Sequence, residues 1–212
     1  IAVVSPIDLN SGTLQDANDN DITLTFTPPV TSLINIDGVV ASVSSVTAPA
    51  NATYKTSDNL DFTASFNEAV TITGSPRIAI TLTSGTVYAD YFSGSGSSTI
   101  VFRYTVASSD LDTNGILLTS PIDLNSGTIE DANSNTAIIT YSLPNTTGVL
   151  IDGIAPTISS LTAPANGTYI LAADLDFTAS FSEAVTITGT PRIEITLTSG
   201  TVYADYLSGS GT

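Results

Sequence analysis

The sequence predicts an all-β chain built from repeated antiparallel sandwiches. Three observations predict it: a long-range repeat, an apolar alternation of period two, and turn residues at short intervals. The repeat is the plainest. Ile80–Tyr91 reads ITLTSGTVYADY and returns letter for letter as Ile195–Tyr206, an offset of 115 residues. Ser5–Thr13 (SPIDLNSGT) returns as Ser120–Thr128, and Ile36-Asp37-Gly38 as Ile151-Asp152-Gly153, at the same offset and without a gap. Roughly seven positions in ten agree between 39–97 and 154–212. Copies that keep their surface as well as their core point to duplication within an array. Arrays supply length, spacing or multivalent surface.

Within one repeat the strands follow from the pattern. Thr, Val, Ile, Tyr and Phe dominate short runs cut by Gly, Pro, Asn, Asp and Ser, and nothing reads as a helix. Seven strands are expected, over 41–48, 60–67, 77–83, 86–92, 98–106, 115–124 and 136–143. In the second, Leu60, Phe62, Ala64 and Phe66 point one way, and Asp61, Thr63 and Ser65 the other. In the third, Ile78, Ile80 and Leu82 alternate with Arg77, Ala79 and Thr81. Ser84-Gly85 signals a tight hairpin into the fourth, and Gly94-Ser95-Gly96 a looser one into the fifth. There Ile100, Phe102, Tyr104 and Val106 alternate with Thr99, Val101, Arg103 and Thr105. Pro121 interrupts the sixth run, which reads as an edge or bulged strand. One apolar face per strand means a sheet wet on one side. Seven such strands in one repeat give a seven-stranded antiparallel β-sandwich of immunoglobulin type. The cysteine–tryptophan core of antibody domains is missing, so this likeness is architectural.

Turn-rich stretches divide the chain. Asn145–Gly148 (NTTG) and Asp152–Pro156 (DGIAP) read as linkers. Residues 39–153 then form one complete repeat, 1–38 the C-terminal part of the repeat before, and 154–212 the N-terminal part of the next. Neither part is expected to close a core alone, because missing strands leave apolar faces open. Ile1 falls inside a repeat, so the chain is expected to belong to something longer, with an export signal elsewhere.

Composition excludes several functions. Net charge is −16, from twenty acidic residues against Lys55, Arg77, Arg103 and Arg192. Nucleic acid and anionic membranes both require a basic surface, whereas a cation fits. His, Cys, Met and Trp are absent. That removes the usual general base, the thiol nucleophile, the Cys/His metal sites and disulfides. No apolar run approaches a membrane span, and no signal peptide is present.

Several phrases carry a family resemblance. Phe66-Asn67-Glu68-Ala69-Val70 and Phe181-Ser182-Glu183-Ala184-Val185 resemble the FSEAV signature of bacterial Ig-like repeats. Thr47–Asn51 (TAPAN), Asp131-Ala132-Asn133 and Ile151–Pro156 (IDGIAP) match the same repeats. Over its whole length the chain is similar to tandem repeats in very large secreted adhesins of Gram-negative bacteria. The resemblance implies β-sandwich arrays outside the cell, often stiffened by calcium between domains. Asn67 departs from the signature, which Ser182 keeps. Glycine-rich nonapeptide calcium repeats are absent.

Strand direction locates candidate ligands. The second strand returns to the pole where the chain enters, which puts Glu68 beside Asp37 and, one repeat on, Glu183 beside Asp152. The loop Ser108–Gly115 (SSDLDTNG) lies at the opposite pole, beside the outgoing linker, and carries Asp110 and Asp112. The metal ligands expected at the domain junctions are therefore Asp37, Glu68, Asp110, Asp112, Asp152 and Glu183. Hard oxygens in such number suit Ca²⁺, which accepts six to eight. The same acids also read as turn caps and a solvated strand end, so both readings stand. Asp16-x-Asn18-x-Asn20 and Asp131-x-Asn133-x-Asn135 share the start of an EF-hand loop. They lack its Gly at position six and Glu at position twelve, and read instead as Asx-rich connections.

The expected function is non-enzymatic. The chain reads as a stalk or filament segment of a giant adhesin at the cell surface, projecting a binding tip and stiffened by Ca²⁺. Its expected partners are neighbouring repeats of the same chain and lateral copies in a filament, with no nucleic acid and no membrane insertion. The competing expectation is a carbohydrate- or surface-binding module, with Tyr88, Tyr91 and Phe92 beside Asp90 as its contact patch.

Overall fold

The computed structural model describes residues 1–211. The protein is all-β, with no helix among these residues. The middle of the chain forms β1 (Val43–Thr47), β2 (Ala52–Lys55), β3 (Asn59–Thr73), β4 (Arg77–Leu82) and β5 (Gly85–Ser93). It continues through β6 (Ser97–Thr105), β7 (Leu111–Asp112), β8 (Leu117–Leu118), β9 (Thr128–Glu130) and β10 (Val149–Asp152). Beyond it lie β11 (Ile158–Thr162), β12 (Thr178–Phe181), β13 (Arg192–Leu197) and β14 (Gly200–Asp205).

The larger sheet has the order β1-β3-β6-β5-β4-β8, antiparallel throughout. Strand β9 pairs with the far end of β3, beyond the reach of β1. Strands β4, β5 and β6 follow one another as neighbours, and β6 closes against β3, which is a Greek key. The smaller sheet is β2-β10-β7, with β10 parallel to β2 and antiparallel to β7. The expected alternation is present. Leu60, Phe62, Ala64 and Phe66 of β3, Ile78, Ile80 and Leu82 of β4, and Ile100 and Phe102 of β6 are buried, and the residues between them are wetter. Val149 and Ile151 of β10 meet them from the other sheet in one continuous core.

The structure corrects several boundaries. The short apolar stretch between the two turn-rich segments belongs to a strand outside the seven expected, β10, whose Val149 and Ile151 are fully buried. Four residues between turns are too few to show a period, and their burial is made by the distant strands β2 and β7. The expected sixth strand shrinks to β8, which ends the larger sheet just before Pro121. The seventh is not a strand. It touches the sheets through isolated bridges, Ser42 with Ile138 and Glu130 with Thr136. The tight hairpin turns at Thr83-Ser84, because Leu82 pairs with Gly85. Gly85 opens β5 at φ 138°, a conformation that a side chain would strain.

The buried apolar residues all lie between Ala41 and Ile151. No named strand occurs in 1–38. In 154–211 the pair β11–β12 repeats the register of β1–β3 one period on, with Ile158 opposite Phe181 as Val43 is opposite Phe66. The pair β13–β14 likewise repeats β4–β5, with Arg192 opposite Asp205 as Arg77 is opposite Asp90. The two pairs remain separate sheets. Strand β6, which joins β3 to β5 in the middle unit, has no counterpart among the described residues of 154–211.

The repeat supplies its own control for core energetics. Ile151 is 0% exposed, and its counterpart Ile36 is 80% exposed. Ile151→Ala is expected to lower the unfolding free energy by about 2–5 kcal/mol. Ile36→Ala should change it by no more than about 0.5 kcal/mol. Denaturant melts followed by tyrosine fluorescence measure both. Equal losses would show that 1–38 packs a core of its own.

Candidate metal centre

The long strand β3 does not pair evenly. Ser65 lies opposite Thr99 and Val70 opposite Ser97, so Phe66–Ala69 face a single residue of β6. This bulge is the Phe-Asn-Glu-Ala-Val segment. Phe66 and Val70 anchor it in the core. Asn67 ties it to the residue before β1: its Oδ1 accepts from Ser42 N at 2.7 Å, and its N–H donates to Ser42 O at 3.1 Å. In the next copy Ser182 Oγ accepts from Thr157 N at 3.0 Å, and Ser182 N donates to Thr157 O at 2.8 Å. Asn and Ser thus do the same job. Bulges re-aim side chains, and the one re-aimed here is Glu68. Its Oε1 is shielded from solvent and has no hydrogen-bond partner.

Two more carboxylates converge on it. One oxygen each of Asp37, Glu68 and Asp131 lie within 4.8 Å of one another, with Asp37 exposed, Glu68 half-buried and Asp131 buried. Asp37 precedes the sandwich, Glu68 sits on β3, and Asp131 follows β9. Asp131 is fixed by its own loop. Its Oδ1 accepts from Asn133 N at 2.8 Å and Asn135 N at 2.9 Å, and its Oδ2 from Asn135 Nδ2 at 2.8 Å. Asp16 makes the same three bonds to Asn18 and Asn20, each at 2.9 Å, with no closed core around it. Local forces therefore fold this loop. The loop then presents Asn133, whose Nδ2 donates to Asp37 Oδ2 at 2.5 Å. Asp37 Oδ1 accepts from Val39 N at 3.1 Å.

Among the described residues no lysine or arginine pairs with these acids. Lys55 pairs with Asp58, Arg77 with Asp123 and Arg103 with Asp61, while Arg192 lies over the Tyr203 ring. Two unit charges 4.8 Å apart repel by about 1 kcal/mol in bulk water and about 3.5 kcal/mol at an effective dielectric of 20. The Asn135 side-chain amide, helped by the two backbone N–H groups and opposed by burial, holds the Asp131 carboxyl below its ordinary value of 3.8. It is therefore charged at neutral pH. Three converging carboxylates, one with a shielded unpaired oxygen, form a donor set for a hard cation.

The other expected ligands lie elsewhere. No group of three acids among the described residues includes Asp110, Asp112, Asp152 or Glu183. Asp110 and Asp112 are buried turn caps. Asp110 Oδ2 accepts from Tyr104 Oη at 2.5 Å and Ala107 N at 2.7 Å. Burial, then that bond to Asp110, raises the Tyr104 hydroxyl pKa well above its usual range. Asp112 Oδ1 accepts from Gly115 N at 2.7 Å, and its Oδ2 from Thr83 N at 2.9 Å. Asp152 repeats the local turn of Asp37, accepting from Ile154 N at 3.2 Å, and Glu183 is exposed. Asp131 was read from sequence as part of a connecting loop, and so it is, yet it also supplies the third carboxylate. Its recurrence as Asp16, with Asn18 and Asn20 matching Asn133 and Asn135, is the available signal.

The aromatic patch does not form one open face. Arg77 lies over the Tyr88 ring at 3.9 Å, and Arg103 over Phe92 at 3.8 Å. Tyr91 is half-buried against the core, its hydroxyl accepting from Ser95 N at 3.1 Å. Among the described residues no helix is long and apolar enough to cross a membrane. No family model, curated protein or solved structure matches the chain.

The Asn135 amide gives the loop a specific acid response. A carboxyl held low contributes its stability in full above 3.8 and loses it as pH falls through the lowered folded value. Asn135→Ala is expected to move the Asp131 midpoint upward, so that loop order is lost at higher pH than in the parent. Carboxyl-carbon NMR through an acid titration reads the midpoint, and the Asn133 amide peak reads the loop. An unchanged midpoint would assign the depression to another group.

Proposed function

We propose that this chain is a stretch of tandem immunoglobulin-like sandwiches from a giant extracellular bacterial adhesin or surface filament. Residues 39–153 are one whole repeat, and 1–38 and 154–212 are parts of its neighbours. The role is mechanical and not catalytic: stacked repeats project a binding tip, and Ca²⁺ at Asp37, Glu68 and Asp131 stiffens each joint. One observation carries the reading. Glu68, whose Oε1 is shielded and unpartnered, has a carboxylate oxygen within 4.8 Å of one of Asp37, which belongs to the incoming linker. Without a cation the linker acid and the two domain acids repel. With one, the same charges bond the linker to the domain. The exposure of Asp37 and the count of three carboxylates fit the weak class of calcium sites, about 10⁻⁴–10⁻³ M, that extracellular calcium fills.

Glu68→Gln tests the reading with opposite signs in two conditions. The amide removes one charge from the cluster and gives Asp37 or Asp131 a donor. Stability in chelator is expected to hold or rise, by up to about 1–3 kcal/mol. Added Ca²⁺ should stabilise the parent by about 2.7 kcal/mol at a hundredfold excess over Kd and leave the variant unmoved. Thermal melts with Ca²⁺ and with chelator supply all four values. A parent that ignores Ca²⁺ removes the cation from the proposal. Scattering dimensions unchanged by Ca²⁺ would remove the stiffening.

A further inference from the structure

We infer that Asn145 is a sugar acceptor: its side-chain amide takes an N-linked glycosyl group from an activated donor, a nucleoside diphosphate sugar. Asn51, Asn145 and Asn166 each begin an Asn-x-Thr triplet, the pattern at which side-chain amides are glycosylated. The structure separates the three. At Asn145 the Thr147 N–H donates to Asn145 Oδ1 at 3.1 Å, and the Thr147 hydroxyl donates to the same oxygen at 2.9 Å. Both residues are exposed, and Asn145 Nδ2 donates to no acceptor among the described residues. The residue between them turns inward. Thr146 is buried, and its hydroxyl donates to Ile116 O. Gly115 lies so close beneath the loop that a Cβ there would fall 2.6 Å from Thr147 Cα. The loop is thus fixed from below, with Asn145 and Thr147 together on its outer surface.

This arrangement suits the chemistry. An asparagine amide nitrogen is a poor nucleophile, because its lone pair is drawn into the carbonyl. Hydrogen bonds to Oδ1 favour the form in which that oxygen carries negative charge. Two donors on Asn145 Oδ1 therefore ease the loss of an Nδ2 proton to a base of the transferase. The Nδ2 electron pair then bonds to the anomeric carbon of the sugar. The bond from that carbon to the phosphate oxygen breaks, and its electron pair leaves with the nucleoside diphosphate. The other two triplets lack the arrangement. That of Asn51 runs into β2, where Ala52 N donates to Gly148 O at 3.0 Å. Its amide lies over Gly148, where a Cβ would fall 2.4 Å from Asn51 Cγ. No hydrogen bond joins Thr53 to Asn51 or Thr168 to Asn166.

Capping the turn does not by itself require an asparagine. The turns of the same kind at Asp37, Asp123, Asp131 and Asp152 use a carboxylate. One copy earlier, Val30-Thr31-Ser32 stands in place of Asn145-Thr146-Thr147, and the backbone turns there without any cap from residue 30. Ile34 N donates to Thr31 O at 3.0 Å, as Val149 N donates to Thr146 O at 3.0 Å. The amide is an addition to a loop that forms without it. The sugar therefore marks one copy and not the copy before it.

The full folded chain tests the inference, with UDP-glucose and a soluble N-glycosyltransferase that uses it. Peptide mapping by mass spectrometry is expected to find one hexose, on the peptide that contains Asn145, with Asn51 and Asn166 bare. Asn145→Asp keeps an acceptor for the Thr147 N–H and hydroxyl but has no Nδ2. It should lose the hexose while its melting temperature stays that of the parent. Thr147→Val should lose the hexose as well, and Thr147→Ser should keep it. The parent chain alone decides the site, so the result does not depend on any variant folding. An Asn145 peptide that stays bare overturns the inference. Asn51 modified as fully as Asn145 overturns it too, because the triplet and not the geometry would then select the acceptor.

Discussion

Strand β3 makes two sets of contacts that a regular strand could not combine. Its first half is a core strand, paired with β1 and β6 through Ser65. Its last three residues pair with β9. Between them Glu68 falls in phase with Phe66 and Val70, so strict alternation would aim a carboxylate at the apolar core. A buried, unpaired charge costs several kcal/mol. The bulge at Phe66–Ala69 leaves Glu68 half-buried, with one oxygen shielded and with Asp37 and Asp131 close to its carboxylate. The site exists because a charged residue occupies an inward position and the strand gives way there.

Much of the fold was legible before the structure. Period two identified the inward residues of β3, β4 and β6 because those strands are long, and one face of each is dry. Strand β10 was not legible. Val149 and Ile151 sit between turn signals, and their burial depends on β2 and β7, which are distant in sequence. The same cause hid Asp131. Glu68 and Asp37 could be brought together from strand direction alone, since each marks an end of a neighbouring segment. Placing Asp131 beside them required the path of the chain around β9, which no local pattern encodes. Asp110 and Asp112 looked like ligands because loop acids near a junction have two possible uses. The neighbouring donors, Tyr104 and the backbone amides of Ala107 and Gly115, decide for capping.

The few cations of this acidic chain lie on the sheet faces and the outgoing turn, not at the incoming joint. Arg77 lies opposite Asp90, Asp90 opposite Arg103, and Arg103 opposite Asp61, so charge alternates across four strands. Arg103 binds Asp61 through two bonds at 2.6 and 2.7 Å, and Arg77 holds Asp123 at 2.8 Å. Opposite charges facing across a sheet favour their own register, and like charges oppose it. With its cations committed there, the incoming joint keeps three acids and no counter-ion of its own. Charges farther apart than a Debye length, about 8 Å at physiological salt, scarcely feel one another. The overall acidity is therefore tolerable, and repulsion is concentrated in the close cluster.

The spacing of the two grips limits what kind of linker this can be. Gly153 is held by the preceding unit, its N–H donating to Asp110 O at 2.8 Å and its carbonyl accepting from Thr56 Oγ1 at 2.7 Å. Asp152, one residue earlier, carries the side chain that its counterpart Asp37 directs into the following unit. A flexible linker needs free residues whose backbone can sample many states. Here the gripped glycine and the aspartate whose counterpart lies beside Glu68 and Asp131 are adjacent in sequence, so no spacer separates the two attachments. Compliance at the joint can then come only from releasing one attachment. The hydrogen-bonded side is built into the core through β10. The acidic side is looser: Asp37 is exposed and Glu68 only half-buried. Of the two attachments, the hydrogen-bonded one is fixed by the fold, and the acidic one changes with whatever neutralises its three carboxylates.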